Sequence, residues 1–449
     1  MVHASNNKHL IKIFLAFVVP SVSAQLLSAI YTVVDGFFVG WGVGDAGLAA
    51  VGLAFPFTVF VTAVGAGIGV GGGALISISM GRGRKKLAER ILGAMVALMA
   101  AASVLTAIGF TGVSKPLLSL YEVKDTAVAN MSFLYAWILL VGSPAQVFTM
   151  GMLGAVRNDG FPRKAMYIMV SAFLVNIVLD WLWVIVFPFG VAGAAVATIV
   201  SQLVSAVFLS LHFLSGKSVV RLRKRALRFN AKLSKAIVGM GVSPFGVQVA
   251  TALTMIMHNW QALAYGGDMG VAAYAVIGYI VPVGVMLEEG IAEGIQPLVS
   301  YYHGASLSAR RRLTARMGIF FAVAVGLACS LLALALHRVV PGFFSMTGDA
   351  AAMAARGLLL SVPMYPFLGV AKVGASYFQS VGNLRNASFL TYGDPFVLLP
   401  FFLWTLPYFF GIDGVWMAMP FANAALAGIF MLMWRRESWR RIPLTATWL

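Results

Sequence analysis

Long apolar runs make up almost the whole chain, broken by short polar turns. About twelve can be drawn, near 11–40, 47–80, 90–112, 128–154, 165–187, 190–214, 236–265, 271–300, 313–336, 353–380, 388–409 and 412–434. Each approaches the ~20 residues that a helix needs to cross a bilayer, and the longer ones have room for interfacial turns. The pattern predicts an all-α integral membrane protein with twelve transmembrane helices. One stretch departs from it: Ser215–Lys235 is polar, basic and without apolar periodicity. It reads as a hinge, or as a surface loop with an amphipathic helix.

The chain also repeats itself, at a spacing of about 223 residues. Gly44-Asp45-Ala46-Gly47-Leu48-Ala49-Ala50 recurs as Gly267-Asp268-Met269-Gly270-Val271-Ala272-Ala273. Gly81 and its basic followers recur at Gly304 and Arg310–Arg312, and Arg157-Asn158 at Arg385-Asn386. Pro20 and Pro244 hold matching places in the first helix of each half. Each half has six spans, an even number, so the repeats are parallel and related by an axis along the membrane normal. The expected organisation is two pseudo-symmetric six-helix lobes. Residues 1–215 form the amino-terminal lobe, 216–235 a basic linker and 236–449 the carboxy-terminal lobe.

Composition agrees with lipid as the solvent. Of 449 residues, 60% are hydrophobic and 10% charged, where soluble proteins carry roughly a quarter charged. Cys329 is the single cysteine, which excludes a disulfide framework and a cysteine-based metal site. The net charge of +17 could suggest nucleic acid, but its placement argues for topology. Lys8, Lys12, Arg82–Arg90, Arg157–Lys164, Lys217–Lys235, Arg310–Arg316, Arg385 and Arg435–Arg441 fall on one side. Only Lys115, Lys124, Arg338 and Arg356 fall on the other. This positive-inside asymmetry puts both termini in the cytoplasm of a plasma-membrane protein, with anionic lipid as a partner and no nucleic acid. The first residues look like a signal peptide. Their apolar run continues to Gly40, however, and the repeat needs it as a first helix, so retention is expected.

Two carboxylates lie inside spans: Asp35 in the first and Asp180 in the fifth. An acid in hydrocarbon persists when it faces a protein interior or wet cavity and does something there. At 1.5 Å per helical residue, Asp35 lies roughly 8 Å from the outer end of its span and Asp180 roughly 12 Å. Asn176 is one turn from Asp180 on the same face, and Thr198 in span six is again roughly 12 Å deep. Two carboxylates, an amide and a hydroxyl at similar depth can hold a proton or bind Na⁺. Two close carboxylates in a low dielectric do not both stay ionised without one or the other. Aligning the halves sets Asn259 opposite Asp35 and Phe401 near the place of Asp180, so the acid pair belongs to the first half alone.

The residues that carry these groups also carry a family resemblance. Asp35-Gly36-Phe37-Phe38-Val39-Gly40 with Leu48–Leu53, Leu153–Gly160, Asn176–Asp180 and Gln296–Ala305 together resemble multidrug and toxic compound extrusion (MATE) transporters. The resemblance covers nearly the whole chain. It implies two six-helix bundles around a central cleft, exporting organic molecules against Na⁺ or H⁺ entry. It further implies a cation site in the amino-terminal lobe at Asp35, Asn176, Asp180 and Thr198, with Tyr135 nearby, and a bend of the first helix at Pro20. The branch with an acid on helix seven is not matched, because that span offers Gln248, His258 and Asn259.

Other intramembrane polar groups are candidates for a substrate pocket. Glu289 and Glu293 share a face of span eight beside Glu288, and Lys372 in span ten can neutralise one of them. His258 titrates in the right range for a switch, but packing is its commoner role. Gly65, Gly67, Gly69 and Gly71–Gly73 fit close helix packing and not a phosphate loop, since no Lys-Ser/Thr follows. No Walker, HExxH or GxSxG pattern points to ATP-driven export or catalysis, so the chain reads as a transporter without cofactor beyond its coupling ion. Its expected partners are small molecules and lipid, and it is expected to act as a monomer. The rival reading is a lipid-intermediate flippase of related architecture, which would want a strongly cationic cavity.

Overall fold

The structure is a computed structural model that describes residues 7–119, 125–223, 226–227, 229–343, 346 and 348–439. Lys124, Lys224, Arg225, Arg228, Arg440 and Arg441, named above for topology, lie outside the described residues. Among the described residues the chain is helical, with no strand. The helices of the first half are α1 (Asn7–Val43), α2 (Asp45–Gly81), α3 (Lys85–Ser119), α4 (Thr126–Val141), α5 (Ser143–Asn158), α6 (Pro162–Asp180) and α7 (Gly190–Leu214). Those of the second are α8 (Ala231–Gly304), α9 (Ser308–Leu336), α10 (Val340–Phe343), α11 (Gly348–Ser361), α12 (Tyr365–Ser380), α13 (Leu384–Gly393), α14 (Leu399–Phe410) and α15 (Ile412–Trp439).

Among the described residues eleven helical segments are long and apolar enough to span a bilayer, and the bent pair α4–α5, taken as one span, makes a twelfth. The expected all-α, twelve-span class is therefore borne out. The fourth span turns by 53° at Gly142, where Gly142-Ser143-Pro144 ends one helix and starts the next inside the stretch drawn as 128–154. α8 contains two spans, separated where Gly267 adopts φ +56°, a conformation open to glycine and not to its neighbours. Spans five and eleven each carry a wide π turn, at Trp181–Val186 and Asp394–Leu398.

The chain gathers into two compact units. One holds residues 26–248 and 300–306; the other holds residues 7–25, 249–299 and 307–439. Both α1 and α8 contribute to each. In the first unit, the glycine run of α2 lets backbones touch. A Cβ on Gly69 would lie 2.7 Å from the Met150 carbonyl oxygen, and one on Gly71 2.7 Å from the Gly241 nitrogen. With no hydrophobic force between helices in lipid, such close backbone packing is what binds them. In the second unit, Val18 and Val22 of α1 lie against Gly294 and Gly290 of α8, 2.7 Å from a would-be Cβ in each case. α1 runs on as a helix through Pro20, which is buried.

The polar stretch after α7 differs from the expectation. No amphipathic helix forms among its described residues, and α8 starts only at Ala231, where the Asn230 side chain accepts from the Leu233 N–H at 3.0 Å.

Candidate functional site: an acid pair in the first unit

Three glycine contacts and one π turn assemble the site. The π turn widens the helix directly after Asp180. Gly42 of α1 fits against it, where a Cβ would be 2.5 Å from Val184 Cγ1. Gly193 of α7 fits against its other side, 2.7 Å from the Trp183 carbonyl oxygen. Gly142, at the head of α5, accepts Ile199 of α7 in the space a side chain would fill. α1, α6 and α7 are thus drawn together around one point, with α4 behind.

At that point the Asp35 and Asp180 carboxyls meet in a hydrogen-bonding contact. Asp180 and Asn176 have no exposed surface, and Asp35 is half-buried. Oriented to satisfy its surroundings, the Asn176 amide donates to Asp180 Oδ2 at 2.7 Å and accepts from the Thr198 N–H at 3.3 Å. The Tyr31 and Thr198 hydroxyls are in hydrogen-bonding contact. The Tyr31 ring stacks on Phe173 at 4.6 Å. Tyr135, 6% exposed on α4, lies within electrostatic reach of Asp35, Asp180 and Tyr31.

The chemistry follows from this geometry. Two carboxyls cannot bond to each other unless a proton lies between them, because both ionised forms only accept. One Oδ1 on each acid is buried without any partner. Those two oxygens, with the neighbouring amide and hydroxyl oxygens, are open to a proton or to a hard monovalent cation. Among the described residues no three His, Cys, Asp or Glu side chains converge, so the donor set is not that of a transition-metal centre.

The second unit holds the other polar candidates. Lys372 Nζ donates to Glu289 Oε2 at 2.7 Å, and the Gln25 amide donates to Glu293 Oε2 at 3.1 Å. Glu288 points the other way, into the space left by Gly369, with no exposed surface and both carboxyl oxygens without a hydrogen bond. Lys372 acts electrostatically on Glu288 and on Asp394. His258 is held elsewhere in the unit. Its Nδ1–H donates to the Thr254 carbonyl at 2.9 Å, and its ring stacks on Tyr274 at 5.4 Å, which in turn stacks on Trp416.

A family model described as MatE matches residues 20–182 and 244–392, which cover both halves and every acid above except Asp394. The chain belongs to the MatE family. It is similar to the multidrug export protein MepA of Staphylococcus saprophyticus, 24% identical over 301 residues. That match takes in 67% of this chain and 66% of the relative, so the chain spans just under two thirds of the curated relatives' length. Among solved structures it is similar to a MOP-superfamily transporter from Pyrococcus furiosus, whose reversed binding-pocket polarity is described as suggesting a different function. The TM-score is 0.90 at 24% identity, over 95% of both chains. A multidrug resistance MATE transporter in an outward-facing conformation gives a TM-score of 0.90 at 23% identity, over 97% of this chain and 98% of that one. These neighbours carry the two-lobe, twelve-helix fold.

Two polar groups of this MatE chain escaped the sequence reading. Tyr31 sits one turn before Asp35, on the same face, and that spacing would have found it. Asp394 lies in the apolar run 388–409, and the rule that picked out Asp35 and Asp180 applies to it equally. The second half therefore has an acid at a π turn in its own fifth span, earlier than the place where Phe401 answers to Asp180.

The Lys372–Glu289 pair makes a prediction. Both side chains are mostly buried, at 17% and 27% exposure. Lys372→Met strands Glu289 and is expected to lower stability by about 2–3 kcal/mol, below the full cost of breaking a sealed pair. Lys372→Met with Glu289→Leu should recover most of that. Thermal unfolding in detergent reads both variants, and a double variant no better than the single one would refute the pairing.

Proposed function

We propose that this chain is a cation-coupled antiporter that exports amphipathic, often cationic organic compounds by alternating access, taking up H⁺ or Na⁺ in exchange. The observation that carries the reading is the acid pair, Asp35 against Asp180, with one buried oxygen on each left without a partner. A site of this kind carries two negative charges when empty and one with a proton or Na⁺ bound, which relieves the repulsion between the carboxylates, so its occupancy biases the helices that frame it. Uptake of the cation there releases substrate on the outer side and favours the inward-facing state. Pro20 is the point in α1 where that change would be taken up. The driving force is the ion gradient and the membrane potential, the latter about 2.3 kcal/mol per charge per 100 mV.

Multidrug export in relatives such as MepA supports this reading, as do the intramembrane acids Glu288, Glu289, Glu293 and Asp394, which outnumber Lys372. A cation-attracting interior suits an exporter of organic cations and disfavours a flippase for anionic lipid intermediates. The positive-inside bias supports a plasma-membrane location with both termini cytoplasmic. The protein would act as a monomer.

The test is dye efflux from proteoliposomes under an imposed pH or Na⁺ gradient, for wild type and Asp35→Asn. Export should follow one gradient and vanish in the variant. Equal efflux from Asp35→Asn would move the coupling site to the glutamates. No efflux of any dye under either gradient would put the flippase ahead.

A further inference from the structure

A second buried polar group lies on α6 and α7, the helices that carry Asp180 and Thr198, far from the acid pair. Lys164 stands sixteen residues before Asp180 on α6 and His212 fourteen after Thr198 on α7, roughly 20–25 Å along each helix. Between them is Asp159, in the turn that joins α5 to α6. His212 Nε2 lies 2.9 Å from Asp159 Oδ2, and neither side chain has exposed surface. The same Oδ2 accepts the Val219 N–H at 3.0 Å, and Oδ1 accepts the Val220 N–H at 2.8 Å. Lys164 Nζ lies 3.0 Å from His212 Nδ1. An ammonium only donates, so Nδ1 is the acceptor and the ring proton sits on Nε2, aimed at Asp159. Lys164 and Asp159 are the charged groups that meet this imidazole. Phe161 and Phe213 cover it at 4.8 and 4.9 Å, while Arg163, Lys217 and Arg221 are exposed.

What Asp159 grips is the start of the strap between α7 and α8. The strap folds back at Gly216, where φ is +73°, and its Leu222 N–H donates to the Phe213 carbonyl at 3.3 Å. Val220 has no exposed surface. Further on, Arg223 Nε donates to Glu89 Oε2 of α3 at 2.9 Å. α8 then runs against α2 at Gly241 and Gly71. A fully buried carboxylate that accepts three hydrogen bonds is a fixed joint and not a surface contact.

We propose that Asp159, poised by His212 and Lys164, is a positioning residue for transport. It ties the strap to the far ends of α6 and α7, the helices that bring Asp180 and Thr198 to the site, so that a shift of either on ion binding is delivered to the start of α8. The proposal rests on the export reading for its consequence, though not for its geometry.

The experiment uses full-length protein with Cys329→Ala and Val220→Cys, reconstituted in liposomes. Maleimide labelling of position 220 is expressed relative to an exposed control, Lys217→Cys. Asp159→Asn should raise that ratio at least about tenfold, the mark of a locally opened segment. It should also cut the maximal export rate several-fold with the half-saturating substrate concentration unchanged. His212→Phe, which keeps the ring packing, should do the same, and the double variant should be no worse than either single one, because the two residues act through one network. An unchanged ratio in both variants overturns the anchor. A raised ratio with an undiminished maximal rate overturns its role in transport. Labelling needs no substrate, so a wild type that exports nothing is a separate failure: it sinks the export reading, and the transport role with it.

Discussion

Asp180→Asn is expected to reduce ion-driven export to the level of empty liposomes while leaving the protein folded. Asparagine fills the volume of the buried acid, but its amide donates a permanent hydrogen bond to Asp35 where wild type needs a proton or cation. The variant is therefore fixed in a state that resembles the occupied one, and gradients of either ion should lose their grip on it. Removing one acid from a sealed pair also removes a repulsion, so the unfolding temperature without ions should stay level or rise. Efflux in proteoliposomes together with thermal unfolding checks both halves of this expectation. Full gradient-driven efflux would show that the acid pair is packing.

Gly304→Val is expected to abolish recovery of folded protein. Gly81 at the end of α2 and Gly304 at the end of α8 face each other. A side chain on Gly81 would strike the Tyr301 carbonyl oxygen, and one on Gly304 the Ile78 carbonyl oxygen. Neither obstacle is a side chain that can swing away. Overpacking typically costs about 1–3 kcal/mol even where side chains yield, and backbone against backbone should exceed that. Gly109→Val, where nothing lies within 4 Å of the added Cβ, is the matched control and should be neutral. The readout is the yield of monodisperse protein after size-exclusion chromatography. Equal yields from both variants would mean that the α2–α8 contact is looser than described.

Much of this was legible in the sequence because lipid permits few solutions. A run of twenty apolar residues has to be a helix, so the twelve spans could be drawn directly. Asp35 and Asp180 stood out because an acid in such a run is costly, and their similar depth pointed to each other. The paired glycines Gly81 and Gly304 stood out as a repeat, although their mutual contact did not. What stayed hidden depends on contacts between distant segments. The π turn after Asp180 adds width without changing composition. The bend at Gly142 did leave a sign, Gly142-Ser143-Pro144, which a reading by apolar length alone passes over. Glu288 turns away from Glu289 because Gly369 leaves a space for it, and nothing in span eight itself encodes that. The strap after α7 read as a hinge or a surface loop because its residues are polar, yet two of its backbone amides are held by a carboxylate some sixty residues earlier.

The central claim is that the acid pair holds the coupling cation. The most direct measurement is ion release from purified protein when a transported dye binds, followed by pH change in weakly buffered solution and by a Na⁺-selective electrode. Wild type should release one cation for each dye bound, and Asp35→Asn with Asp180→Asn should bind dye and release none. The same release from the double variant as from wild type would contradict the account.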